Sequence, residues 1–234
     1  IRNTSCNLWL SCVSISNKQM EQEKNNIKPK LLIVTGPQGS GNHLFAKLFT
    51  MHPMVEGWPM LKDEWQGHHD EPFHAEWNDP SLLANRKWNK DVCYMTSISC
   101  PYIKNQKGHW PKYHEFITEA KKYCEVVIAI IGRDRNILEK QQNRVRGYHT
   151  TPLAQEHLEK LHNLASVVYI SQELFFLYGA NYLKSIGKQL DFPVLCPVDV
   201  INDYLREDAN LRYLVRHTAE GRFDKEVKKA WDES

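Results

Sequence analysis

At 234 residues, with 41% apolar and 25% charged residues, the chain has the composition of a globular protein and not of a disordered one. Thirty basic residues against 28 acidic ones leave a formal net charge of +2, so no global field favours nucleic acid or an anionic membrane as partner. An anionic ligand must therefore be held by a local site.

Residues 1–30 read as a polar lead-in, and residues 31–234 as a single domain with no second boundary. Position 1 is Ile, so the reading frame is expected to extend upstream or to be processed. The apolar stretch over 8–15 is broken by Ser and Cys and is too short to span a bilayer. It lacks the basic flank and cleavage pattern of a signal sequence. Cys6, Cys12, Cys93, Cys100, Cys124 and Cys196 form no CxxC pair. That argues against a zinc cluster and for free thiols in a reducing compartment such as the cytoplasm.

Residues 31–35 (LLIVT) form a short, unbroken apolar run, as expected of a strand buried on both faces of a parallel sheet. A glycine-rich turn over 36–41 follows, then a helix with Leu44, Phe45, Leu48 and Phe49 on one face. Residues 52–90 show no sustained period, and an irregular segment of that length is usually functional or mobile. A strand is expected over 92–97, a helix over 111–124 opened by Pro111, and the strongest strand over 126–131 (VVIAII). A helix carrying Ile137, Leu138 and Gln141 comes next, then another ending near 164 and a further buried strand over 167–170. The helix over 173–190 should bury Leu174, Leu177, Tyr178, Tyr182, Leu183 and Ile186. Apolar strands alternating with helices predict an α/β fold, a central parallel sheet covered on both sides.

Gly36 to Gly41, followed by Asn42-His43, has the glycine spacing of a Walker A loop. Such a loop cups phosphate with backbone N–H groups and aims a helix N-terminus at the negative charge. The Lys-Ser/Thr pair of nucleotide hydrolases is replaced, so the phosphate-neutralising lysine and the Mg²⁺-holding hydroxyl are both gone.

The stretch IVTGPQGSGNHLFAKLFTMHP resembles the 5′-phosphosulfate loop of sulfotransferases that use 3′-phosphoadenosine 5′-phosphosulfate (PAPS), a chemistry that needs no metal. The resemblance implies a P-loop NTPase-like, three-layer αβα fold with PAPS as donor and 3′,5′-ADP as product. It implies that Gly39, Ser40, Gly41, Asn42 and His43 wrap the phosphosulfate. Many loops of that family carry Arg or Lys where this chain has Gly39, so a cation must come from elsewhere, with Lys62 a candidate. VVIAIIGRDRNILEKQQNR resembles the family's 3′-phosphate element: Arg133 falls on its arginine, while Gln141 stands where Ser is expected. VVYISQELFFLYGANYLKSIGKQLDFPV is similar to the strand, acidic residue and long helix near the end of many members. The family's C-terminal basic loop is not recognisable here, and Arg216 or Arg222 is its candidate substitute.

Sulfuryl transfer needs a base for the acceptor proton. The strand end over 95–101 (MTSISCP) offers Ser97 and Ser99 but no His. Glu64 and His68 are the leading candidates, with Asp63 and His69 in reserve. His68, His69, Asp70 and His74 lack metal-ligand spacing, so no metal is expected. Trp58, Trp65, Phe73 and Trp77 read either as a stacking wall for the acceptor or as a satellite core. The expected function is transfer to a hydroxyl or amine of a small molecule or glycan. Two other readings stay open: a nucleotide-binding or scaffold protein of the same fold that has lost catalysis, and a P-loop nucleotide kinase. Gly39, Gln141 and the lack of a His near Ser99 speak for the first, and Asn42-His43 against the second.

Overall fold

A computed structural model of the chain describes residues 28–57, 72–104 and 107–206. Its centre is strand β1 (Lys30–Pro37), flanked by β3 (Cys93–Cys100) and β6 (Glu125–Gly132), all parallel. The two-residue β2 (Val55–Glu56) lies outside β3 and β7 (Ser166–Ser171) outside β6, giving the order β2-β3-β1-β6-β7. Strands β4 (Tyr102–Lys104) and β5 (Lys107–His109) make a separate antiparallel pair just after β3.

Alternation along the strands divides the core in two. Leu32, Val34, Met95, Val127 and Ala129 meet α1 (Asn42–Thr50), α6 (Gln172–Leu190) and α7 (Val198–Arg206). Leu31, Ile33, Tyr94, Ile98, Ile128 and Ile130 meet α2 (His74–Asn78), α3 (Tyr113–Ala120) and α5 (Thr151–Glu159) on the other face. The expected α/β architecture, a parallel sheet with helices on both sides, is what the chain adopts. Helix α4 (Arg135–Arg146) follows β6 directly.

Thr35, Tyr113, Trp77 and Thr96, buried polar groups on the second face, are paired, as low-dielectric burial demands. Thr35 Oγ1 donates to the Ile98 carbonyl at 2.7 Å and lies 2.6 Å from the Tyr113 hydroxyl. Trp77 Nε1 donates to Thr96 Oγ1 at 2.9 Å, and that hydroxyl donates to the Pro72 carbonyl at 2.8 Å. Trp77 also stacks on Phe116 with ring centroids 3.8 Å apart. Phe73 and Trp77 are thus buried in a satellite core and form no acceptor wall. Trp58 and Trp65 lie outside the described residues.

Two other expectations are corrected. Strand β7 is not buried on both faces: it forms the sheet edge, and Tyr169 is 59% exposed. Helix α6 does not bury one continuous stripe, because Gly179 adopts φ 52°, ψ −126° and breaks it. Leu177 and Tyr178, ahead of the break, are 72% and 62% exposed, whereas Leu183, Ile186 and Leu190 beyond it are buried.

The four described cysteines, Cys93, Cys100, Cys124 and Cys196, are free thiols. Burial pushes the thiols of Cys100 and Cys124 up to about 12. Iodoacetamide at about pH 8 is expected to spare both in the folded protein and to modify both after denaturation, as peptide mass spectrometry would read. No helix among the described residues is long and apolar enough to cross a membrane.

Candidate nucleotide-binding site

The chain leaves β1 in one direction, towards β2, and leaves β6 in the other, towards β7. A crevice outside the carboxyl ends of the strands opens at such a switch point, where ligands of α/β sheets bind. Both predicted anchors lie there: the glycine-rich turn after β1 and Arg133 after β6.

The turn is compact because its polar groups bind one another. Ser40 N–H donates to the Pro37 carbonyl at 3.1 Å, and Gly39 and Gly41 take φ values of 88° and 105°, which favour glycine. Gly41 is the N-cap of α1, and it supplies no side chain to the helix's first N–H groups. The first turn of α1 also carries no acidic residue. Those N–H groups have no intrahelical acceptors, so the helix start presents donors and the positive end of its dipole.

Asn42, at the position of the Walker lysine, is committed to the loop itself. Its Nδ2 donates to the Gly36 carbonyl at 3.0 Å and to Ser99 Oγ at 3.1 Å, while Oδ1 accepts from Ser40 Oγ at 3.1 Å. The side chains of Ser40 and Asn42 are therefore buried and turned inward, leaving the first N–H groups of α1 as the donors at the turn. Ser99, which the sequence offered in place of a histidine, serves to tie the loop to β3.

Arg133, just after β6, and Gln141, on α4, meet. The guanidinium donates to Gln141 Oε1 at 2.5 Å and to the Gly39 carbonyl at 2.9 Å. A Cβ added to Gly39 would come within 3.3 Å of the Gln141 amide. The two departures from the sulfotransferase pattern are thus one feature: the longer amide at 141 fills room that a side chain at 39 would need.

Several neighbours escaped the sequence reading. Gln142 Nε2 donates to the Gln38 carbonyl at 2.8 Å, and its Oε1 accepts from Thr150 N–H at 2.8 Å, binding the turn to the start of α5. Glu173 accepts from Asp134 N–H at 2.7 Å and from Ser171 Oγ at 2.9 Å, fixing the residue after Arg133 to the β7–α6 junction. The Gln172 side chain lies against Gly41, 3.3 Å from the place of a Cβ. Nothing but a polar residue at a strand end hinted at these roles, and such residues are common.

Glu64 and His68, with Lys62, Asp63, His69 and Asp70, lie outside the described residues, as do Arg216 and Arg222. Among the described residues no group of three or more His, Cys, Asp or Glu is gathered to hold a metal ion.

No protein-family model matches the sequence, and no curated protein matches it. Among solved structures, a sugar kinase from Janibacter sp. HTCC2649, crystallised without ligand, aligns with 70% of this chain and 95% of its own. The aligned sequences are 14% identical and the TM-score is 0.36, too low to assign either a fold or an activity.

Proposed function

We propose that the chain is a metal-independent sulfotransferase with a P-loop-type αβα fold that uses PAPS and sulfates a hydroxyl or amine. The observation that carries this reading is the pairing of a lysine-free glycine turn with Arg133 across the β1–β6 switch point. The turn offers N–H donors and a helix dipole to an anion, and its Walker lysine position is taken by an Asn whose amide bonds the Gly36 carbonyl and Ser99 of β3. The turn itself has neither the lysine nor the Ser/Thr hydroxyl by which a nucleotide hydrolase holds phosphate and Mg²⁺.

The residues fit the donor. The α1 N-terminus and the turn from Gly39 to His43 would hold its phosphosulfate, and Arg133 with the free end of the Gln141 amide its 3′-phosphate. When bound, PAPS supplies a sulfuryl group whose bond to the phosphate oxygen breaks as a bond to the acceptor forms. The protein's part is to orient that group, neutralise the leaving phosphate and take the acceptor's proton. Glu64 or His68 is assigned the last task. At least one of Glu64→Ala and His68→Ala should lower turnover by about two to four orders of magnitude while leaving 3′,5′-ADP affinity unchanged. Unaltered turnover in both would remove them from the mechanism.

Titration calorimetry with 3′,5′-ADP in EDTA, set against ADP with Mg²⁺, tests the whole reading. Metal-independent binding of the 3′-phosphorylated nucleotide supports it. Preference for ADP with Mg²⁺ would replace it with a kinase, and binding of neither with a scaffold that has kept only the fold.

A further inference from the structure

Helix α6 opens with a segment that is apolar on every side. Leu174, Phe175, Phe176, Leu177 and Tyr178 follow one another directly, ahead of the break at Gly179. Phe175 is buried against Phe45 of α1, with ring centroids 5.5 Å apart. Leu174, Leu177 and Tyr178 are exposed, and their i, i+3, i+4 spacing puts them on one face of the helix. Single apolar residues on a surface need no explanation, but a helix apolar all round is one that further chain covers.

The course of the chain after α6 points to the cover. A Cβ at Gly187 would come within 2.6 Å of Val194, and one at Gly179 within 3.3 Å of Leu205 and 3.7 Å of Ile201. Between Val194 and Leu205 the chain has therefore run back along α6, from the level of Gly187 to that of Gly179, about 12 Å towards its N-terminus. Helix α7 is anchored at that level, with Ile201 buried and Tyr204 and Leu205 packed on the same core. Its last residue, Arg206, stands one position past the contact with Gly179. Tyr178, Leu177 and Leu174 are what α6 presents next in the direction of travel.

We infer that the segment following α7 continues this antiparallel course and docks on the Leu174–Leu177–Tyr178 face through Leu211, Leu214 and Val215. Those three residues repeat the i, i+3, i+4 spacing of the face itself, while Arg212, Arg216 and His217 fall on the other side of the pattern. Chain length permits the contact. Leu211 can stand roughly 9 Å from Leu205 if the path is helical and about 20 Å if it is extended. Leu177 and Leu174 lie only about 3 and 7.5 Å beyond Gly179 along α6. So short a tether holds the segment at a local concentration of about millimolar, which favours it over a second copy of the chain.

Neither the donor nor the reaction enters into this docking, and the test uses the full chain without ligand. Leu211, Leu214 and Val215 lie outside the described residues, so a crosslink is used to locate them. p-Benzoylphenylalanine is placed at position 177, the protein is irradiated at low micromolar concentration, and crosslinked peptides are mapped by mass spectrometry. Crosslinks should fall within residues 207–216 of the same chain. A crosslink to a second copy, to another segment alone, or none at all, would overturn the inference. Melting curves give an independent check. An exposed Leu177 without a cover would tolerate Gln with little change. With the segment docked, Leu177→Gln and Leu214→Gln should each lower the melting point by about 2–4 °C. The double variant should fall no further than the larger single shift, because both changes remove one contact. Unchanged melting points, or shifts that add in the double variant, would mean that the two residues do not meet and would sink the proposal as surely.

Discussion

Arg133→Ala is expected to weaken 3′,5′-ADP binding about a hundredfold, which corresponds to roughly 2.7 kcal/mol. Two charge-assisted hydrogen bonds to a phosphate account for a loss of that size, discounted because the guanidinium is only half-buried. The fold should survive the change. Arg133 sits at the end of β6 and contributes to the turn by holding the Gly39 carbonyl, a contact that water can replace at a half-buried position. Arg133→Lys should recover only part of the affinity, since a single ammonium cannot reproduce the planar fork. Calorimetry gives the affinity and a melting curve the fold. Full binding by the alanine variant would show that the 3′-phosphate lies elsewhere.

Gly36→Ala should be the most damaging single methyl group in the site. A Cβ there would collide with the Ile131 carbonyl of β6, a backbone atom that cannot swing aside. It would also stand 2.7 Å from Ser40 Oγ and 2.9 Å from Asn42 Oδ1, the two side chains that knit the turn. Relief requires the strand end to part from β6 or the Ser40–Asn42 bond to open. Overpacking of this kind costs about 2–3 kcal/mol. For a domain of this size the melting point should fall by roughly 5–10 °C. Nucleotide affinity should fall with it, because the N–H groups of the turn are displaced together. A variant that melts and binds like the wild type would mean that the turn is not held against β6.

The central strands could be read from the sequence because LLIVT and VVIAII lie at the two places where both strand edges and both faces are covered. The run at 167–170 looks the same in one dimension, yet β7 has a neighbour on one side only and exposes Tyr169. Residue type does not distinguish an edge from a centre. Strand β2 and the β4–β5 pair escaped notice because two- and three-residue strands carry no usable alternation. Phe73 and Trp77 were ambiguous for another reason: an aromatic residue in an irregular stretch is equally suited to a ligand wall and to packing, and only the Phe116 stack decides. In the site, the glycine spacing and Arg133 were legible because backbone conformation and a cation at the end of a buried strand restrict residue choice. The roles of Gln142 and Gln172 were not, since an amide's function depends on which partners folding brings within 3 Å.

The break at Gly179 gives the nineteen-residue α6 two separate duties. An unbroken rod would tie the direction of the helix start, where Gln172 lies against Gly41, to that of Leu183, Ile186 and Leu190, which are packed beneath the sheet. With the break at Gly179, Phe175 ahead of it is locked against Phe45 of α1 while Leu183, Ile186 and Leu190 behind it hold the rear segment, so each half is clamped by its own contacts. One helix thereby meets two packing surfaces whose directions differ, which a straight rod could not satisfy together.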